Sequence, residues 1–337
     1  MSPMIIGGVV VGVIGALYGA YRSLVNKPHG KVEFKTGLVL RMIPNTEGNV
    51  DLMKLRKEYD RMGRMGSRRL KGKVEERNIM IPTRHGDVST MAFISKDGAD
   101  RPLILYFHAG GWCIGSIDSH RESCIRTCLA SGMSVLAVDY SLGPEHSYPQ
   151  PVEESIDVLE WVLSKAEFDF AYSKEIILMG ESAGGNMSIV LAHDRLKKDG
   201  AKNILEVIPI YAVTDCSEDK MGSFKDFESG YYLTKDTIDA FEAAYVKGEV
   251  DRESPWLSPL LQDDLKGFPD TYVITAEFDP LRDEGEAFGK KLQELGSKAS
   301  IKRYDRTIHD FYGRAMFGKQ GLKAVNELAE YLKKKYH

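Results

Sequence analysis

Only four of the 337 residues are cysteine (Cys113, Cys124, Cys128 and Cys216), and their spacing matches neither a metal-ligand pattern nor a disulfide framework. Cys124 and Cys128 lie four apart in an expected helix, which places them on one face as small apolar residues. An excess of positive charge is also missing. The net charge of −4 argues against nucleic acid as the main partner, because binding phosphates wants a strong positive surplus. Glycosylation signals are scarce: the one Asn-x-Ser/Thr match, Asn186-Met187-Ser188, falls in an expected helix where a glycan could hardly be accommodated. No charged residue occurs from Met4 to Tyr21, and no basic side chain precedes that run.

That apolar run has the length of a membrane span. Eighteen residues of helix rise about 27 Å, close to the thickness of a hydrocarbon core. Gly8 with Gly12, and Gly15 with Gly19, form the small-residue pairs of closely packed membrane helices. Without basic residues ahead of it the run does not fit a cleaved signal peptide, so residues 1–27 are expected to form a single-pass amino-terminal membrane anchor. Arg22, Lys27, Lys31 and Lys35 follow it, and the positive-inside tendency then puts the body of the protein on the cytoplasmic side. A second basic run at Arg61, Arg64, Arg68, Arg69, Lys71 and Lys73 fits a solvated helix face and loop. Attraction to an anionic membrane surface is the alternative.

The remainder has the composition of a soluble globular body, 43% hydrophobic and 28% charged. Leu52, Leu55, Tyr59 and Met62 recur at helical spacing within Asp51–Arg69. Residues 74–81 and 88–94 are expected strands around a turn at Pro82–Asp87. Apolar runs at 103–107, 135–138, 176–179, 205–210, 272–275 and 300–304 then alternate with helical patterns at 119–131, 152–165, 183–198, 283–295 and 320–335. That alternation predicts an α/β fold, a mostly parallel sheet with helices on both faces. In such sheets ligands bind beyond the carboxyl ends of the strands.

Four of those ends carry candidate chemistry. Gly180-Glu181-Ser182-Ala183-Gly184-Gly185 follows a strand and opens a helix, the layout of a nucleophile elbow, although small residues alone also make ordinary turns. His108-Ala109-Gly110-Gly111-Trp112 follows the 103–107 strand. Its adjacent glycines let backbone N–H groups approach a ligand, as an oxyanion site needs. Asp279 follows the 272–275 strand and His309 the 300–304 strand. A hydrolytic serine requires a base and an acid that orients it, and Ser182, Asp279, His309 is the chain order expected on an α/β-hydrolase sheet. Asp283 is the alternative acid.

With these motifs in order, the chain resembles the hormone-sensitive-lipase-like family of α/β-hydrolase carboxylesterases, which includes the membrane-anchored arylacetamide deacetylases. The resemblance covers about residues 75–335. It rests on His108–Trp112 with Gly115, Asp118 and His120, on Asp139-Tyr140 through Pro144-Glu145-His146 to Pro149, and on Gly180–Asn186, Ser258-Pro259-Leu260, Asp279–Gly285 and His309-Asp310-Phe311. It implies Ser182 as nucleophile, His309 as base, Asp279 as orienting acid, and backbone oxyanion donors at Gly110, Gly111 and Ala183. It implies no metal or organic cofactor. It places a cap over residues 75–337, built from residues 28–74 and an insertion at about 215–260, where Phe224, Phe227, Tyr231, Tyr232 and Leu233 stand. His108, Trp112, Tyr231 and Tyr232 are the candidate substrate contacts. The implied partners are a small-molecule or lipid ester and a membrane, with the endoplasmic reticulum as a candidate location. Three departures from the family pattern stand out: Ala109 where glycine is usual, with strain expected if φ is positive there; Glu181 in place of a more common aspartate; and Ser141 in place of a frequent arginine, with one salt bridge expected to be missing. The implied reaction is hydrolysis of apolar carboxylic esters through an acyl-enzyme. An amide hydrolase with the same triad and a non-catalytic ligand receptor are the alternatives.

Overall fold

A computed structural model describes residues 18–42, 50–96, 101–165, 168, 170 and 172–336. Eight strands form one sheet in the order β10-β9-β8-β7-β5-β6-β4-β3. At one edge an antiparallel hairpin, β3 (Glu75–Thr83) and β4 (Gly86–Ile94), joins β6 (Val135–Val138). From β6 through β5 (Leu103–Phe107), β7 (Ile176–Glu181), β8 (Ile204–Ile210), β9 (Asp270–Phe278) and β10 (Ala299–Ile308) all pairs are parallel. The hairpin strands run two residues further toward the turn than the sequence predicts, through Pro82 and Asp87. Proline is accommodated because β3 is an edge strand with one side free of ladder partners.

Both faces of the sheet are covered, as the long apolar runs require. Every residue of β5 is buried. Leu103, Leu105 and Phe107 join the core on one face, and Ile104 and Tyr106 join the core on the other. Burial of each such side chain contributes roughly 1.5–3 kcal/mol. The covering helices are α4 (Ile117–Ser131), α5 (Gln150–Lys165), α6 (Ala183–Asp199), α9 (Arg282–Glu294) and α10 (Gln320–Tyr336). The expected helices at 119–131, 152–165, 183–198, 283–295 and 320–335 therefore form within a residue or two of their limits. Cys124 and Cys128 are buried on α4, and all four cysteines are free thiols.

Above the strand ends lie the remaining elements. Helical residues 18–25 (α1) lead through the short strands β1 (Asn26–Lys27) and β2 (Gly30–Lys31) to α2 (Phe34–Met42) and α3 (Leu52–Ser67). Asp51 caps α3 by accepting from Lys54 N at 3.0 Å. Two glycines inside α3 cost it about 1 kcal/mol each in helix propensity. Close approach to α4 explains the first: a Cβ on Gly63 would lie 2.3 Å from the Ser119 backbone, whereas one on Gly66 would meet only the end of the Glu122 side chain. The 215–260 segment supplies α7 (Gly222–Asp226) and α8 (Lys235–Tyr245).

The expectation of a single-pass membrane protein is corrected. Among the described residues no helix is long and apolar enough to cross a membrane. Of the span placed at residues 4–21, only 18–21 are described, and they belong to the helical stretch 18–25 that turns into β1 and β2. Residues 4–17, on which the rest of that expectation falls, lie outside the described residues.

Candidate active site

The elbow forms because β7 runs into α6 with a single residue between them. Ser182 takes φ 54° and ψ −118°, a conformation that costs a non-glycine residue of order 1–3 kcal/mol and persists only where its surroundings impose it. Tight packing supplies that constraint. A Cβ on Gly180 would stand 2.1 Å from Gly184 O, and one on Gly184 would stand 2.1 Å from Phe107 O. The elbow is thus pressed against the carboxyl end of β5, which carries the Gly110-Gly111 loop.

Strands β9 and β10 run further than the sequence predicts, and each delivers its residue directly. Asp279 follows β9 and His309 follows β10. His309 Nε2 lies 2.9 Å from Ser182 Oγ, and His309 Nδ1 lies 2.7 Å from Asp279 Oδ2. The carboxylate fixes the tautomer: Nδ1–H donates to Asp279, leaving Nε2 to accept from the serine hydroxyl. Asp279 is itself held by Leu281 N–H, which donates to Oδ1 at 2.9 Å. Burial alone would lower the His309 pKa, but the Asp279 charge and hydrogen bond outweigh it and leave it raised. Asp283, the alternative acid, is engaged elsewhere, with Arg282 Nε at 2.8 Å and Ser223 N at 2.9 Å.

The glycine loop is built by its own carbonyl. Cys113 N and Ile114 N both donate to Gly110 O, at 3.0 and 2.9 Å. Gly110 has φ 130° and Gly111 φ 55°, and a side chain at either would strike Ile114 O or the Phe241 ring. Ala109 does not have positive φ, so the strain expected there does not arise; Trp112, at φ 57°, carries it instead. The Ala109 N–H is committed to His120 Nε2 at 3.2 Å. Ala183 opens α6, so its N–H has no intrahelical acceptor and sits at the positive end of the helix dipole. Ser141, far from leaving its turn untied, donates its hydroxyl to Glu154 at 2.8 Å. Asn186 is buried, bonded to the carbonyls of Val213 and Leu257, so the sequon offers no glycan site.

Ser182 and His309 open onto a cavity of about 410 Å³. Leu55, Tyr59 and Met62 of α3 form one wall, and Ile238 and Phe241 of α8 another. Of the candidate substrate contacts, Trp112 and Tyr232 line this cavity. His108 and Tyr231 do not. His108 is buried beneath the loop, stacked on Tyr140 with centroids 4.3 Å apart and with Nδ1 2.8 Å from Ala109 O. Tyr231 packs on Phe278 in a separate apolar cluster.

Sequence reasoning missed a buried polar layer behind the site. Tyr106 and Tyr211 each donate a hydroxyl to one oxygen of Glu181, whose pKa burial pushes up to about 7. Beside it, Tyr59 and Arg314 both donate to Asp310 Oδ1 at 3.0 Å, and Arg314 Nη2 lies 3.4 Å from His120 Nε2. His120, Glu181 and Asp310 present ligand atoms within 4.8 Å of one another. The Arg314 guanidinium supplies the positive charge among them. The sequence signal was weak: Tyr59 on an apolar stripe, His120 and Glu181 within the family motifs, and Asp310 beside the histidine.

A strained serine at a strand–helix elbow, hydrogen-bonded to a histidine and through it to a buried carboxylate, defines a serine hydrolase on a parallel α/β sheet. Comparison with known proteins agrees: the chain belongs to the alpha/beta hydrolase fold family whose model matches residues 104–313. It is similar to the carboxylic ester hydrolase LipN of Mycobacterium tuberculosis, 33% identical over 77% of this chain and 70% of that protein. It is also similar to the acetyl esterase of Salmonella schwarzengrund, 30% identical over 71% and 75% of the two chains. The hyperthermophilic esterase from the archaeon Pyrobaculum calidifontis superposes with a TM-score of 0.83 at 29% identity, covering 88% of this chain and 96% of its own.

Proposed function

We propose that Ser182 is the nucleophile, His309 the general base and Asp279 the residue that orients it, acting on carboxylic esters with apolar groups. The chain is a serine carboxylic ester hydrolase. The observation that carries the residue assignment is the series of 2.9 and 2.7 Å contacts opening onto an apolar cavity. In the forward step Ser182 Oγ attacks the ester carbonyl as His309 Nε2 takes its proton. The N–H groups of Gly110, Gly111 and Ala183 hold the developing oxyanion, and the imidazolium then protonates the leaving alcohol. Water, deprotonated by the same histidine, releases the acid and restores Ser182.

Residues 28–74 and the insertion at about 215–260 serve as the cap over residues 75–337, with α3 and α8 shaping the substrate space. Leu55, Met62, Ile238 and Phe241 favour acyl or alkyl chains, each buried methylene adding roughly 0.8 kcal/mol. A fluorophosphonate probe with a p-nitrophenyl ester series tests this reading. Labelling is expected in the native chain and absent in Ser182→Ala, with kcat falling about 10⁶-fold. Label retained by Ser182→Ala, or acetanilide cleaved faster than the esters, would overturn it.

A further inference from the structure

The basic run of the sequence is not explained by ester hydrolysis, and the structure gathers part of it along an open surface groove. Arg61 and Arg64 from α3, Arg68 and Lys71 just beyond it, and Arg121 from α4 line a concave space of about 800 Å³, together with the carboxylates of Glu76 and Asp118. Charge within it is unevenly satisfied. Arg121 pairs with Glu76 and, at 2.6 Å, with Asp118, and Arg64 lies 4.0 Å from the same aspartate. Among the described residues no carboxylate lies within ion-pairing distance of Arg61, Arg68 or Lys71, all three exposed. The groove therefore holds an excess of three positive charges on a chain whose net charge is −4. Part of that charge complements the carboxyl end of α3, where the helix dipole favours cations. Arg61, two turns back from that end, and Lys71, beyond it, are not accounted for by the dipole.

We propose that this groove is a binding site for a soluble ligand carrying a di- or triphosphate chain. Arg61, Arg64 and Arg68 follow one helical face, and seven residues of rise separate the first from the last by about 10 Å. One phosphate reaches two of these guanidiniums, whereas a chain of phosphates engages the whole row and Lys71 beyond it. Guanidinium forks suit this role because they bind phosphate oxygens through paired N–H groups. The site stands on the outer side of α3, whose inner side walls the ester cavity, so the two sites share a helix and no residue.

Calorimetric titration of the full chain with sodium tripolyphosphate and with orthophosphate, at matched ionic strength, tests the proposal. Saturable binding of tripolyphosphate is expected, at least about tenfold tighter than orthophosphate. The Arg61→Gln, Arg68→Gln, Lys71→Gln variant is expected to lose it while hydrolysing p-nitrophenyl esters at the native rate. An Arg61→Lys, Arg68→Lys variant keeps the charge and part of the binding, losing the paired N–H contacts, which separates lost charge from lost folding. The proposal is overturned by unsaturable binding, by equal loss in both variants, by binding that survives the glutamines, or by affinity for anionic phospholipid vesicles with none for tripolyphosphate.

Discussion

The histidine of the site is tuned chiefly by Asp279, with Asp310 and Glu181 adding to its effect. Burial works against its charged form, and Asp279 at 2.7 Å more than reverses that effect. The proposed mechanism needs neutral His309, so kcat/KM is expected to fall as pH drops through the raised pKa. In Asp279→Asn the largest charge that raises it is gone, and the acid limb of the kcat/KM profile is expected to move to lower pH. The maximal rate should fall about 10⁴-fold, because an amide no longer enforces the required tautomer. A profile that keeps its native acid limb would mean that another carboxylate holds the imidazole. Glu181 has a contrasting role. It sits beside Ser182 in sequence but turns into the protein, where two tyrosine hydroxyls consume both its oxygens.

At the scale of elements, the site depends on close backbone approaches that only glycine permits. Gly63 brings α3 against the Ser119 backbone, so Gly63→Ala has to push the helix outward or strain it. Overpacking of this kind costs typically 1–3 kcal/mol, and the expected result is a lower Tm together with a raised KM and a nearly unchanged kcat. A variant with native Tm and native KM would show that α3 relaxes without moving its cavity wall. The same elements mark what the sequence could and could not disclose. Alternation of apolar runs predicts the strands, and ordered strand-end motifs predict Ser182, Asp279 and His309, because those features are local. Contacts between distant segments leave no such trace. An apolar stripe on a helix looks the same whether it faces a core or a cavity, which is why Leu55 and Met62 could not be assigned to the cavity wall. His108 and Tyr231 show the converse, aromatic residues beside functional motifs that are consumed by packing. The amino-terminal hydropathy suggested a span from length and apolar content alone, and the part of it that is described, residues 18–21, belongs to a short helix that turns into β1 and β2.

At the scale of the molecule, the ester cavity lies between parts held in place from opposite sides. Its α3 wall is seated on α4 through Gly63, and its α8 wall meets the glycine loop where Phe241 rests on Gly111. For a series of straight-chain p-nitrophenyl esters, kcat/KM is expected to rise about fourfold per methylene while each is buried, then to drop within one or two carbons. A gradual decline over many carbons would show that the walls yield. The glycine seating of α3 thus turns a question of chemistry into one of gauge. With both walls fixed, an ester that overfills the bore is refused at entry, before the serine has met it.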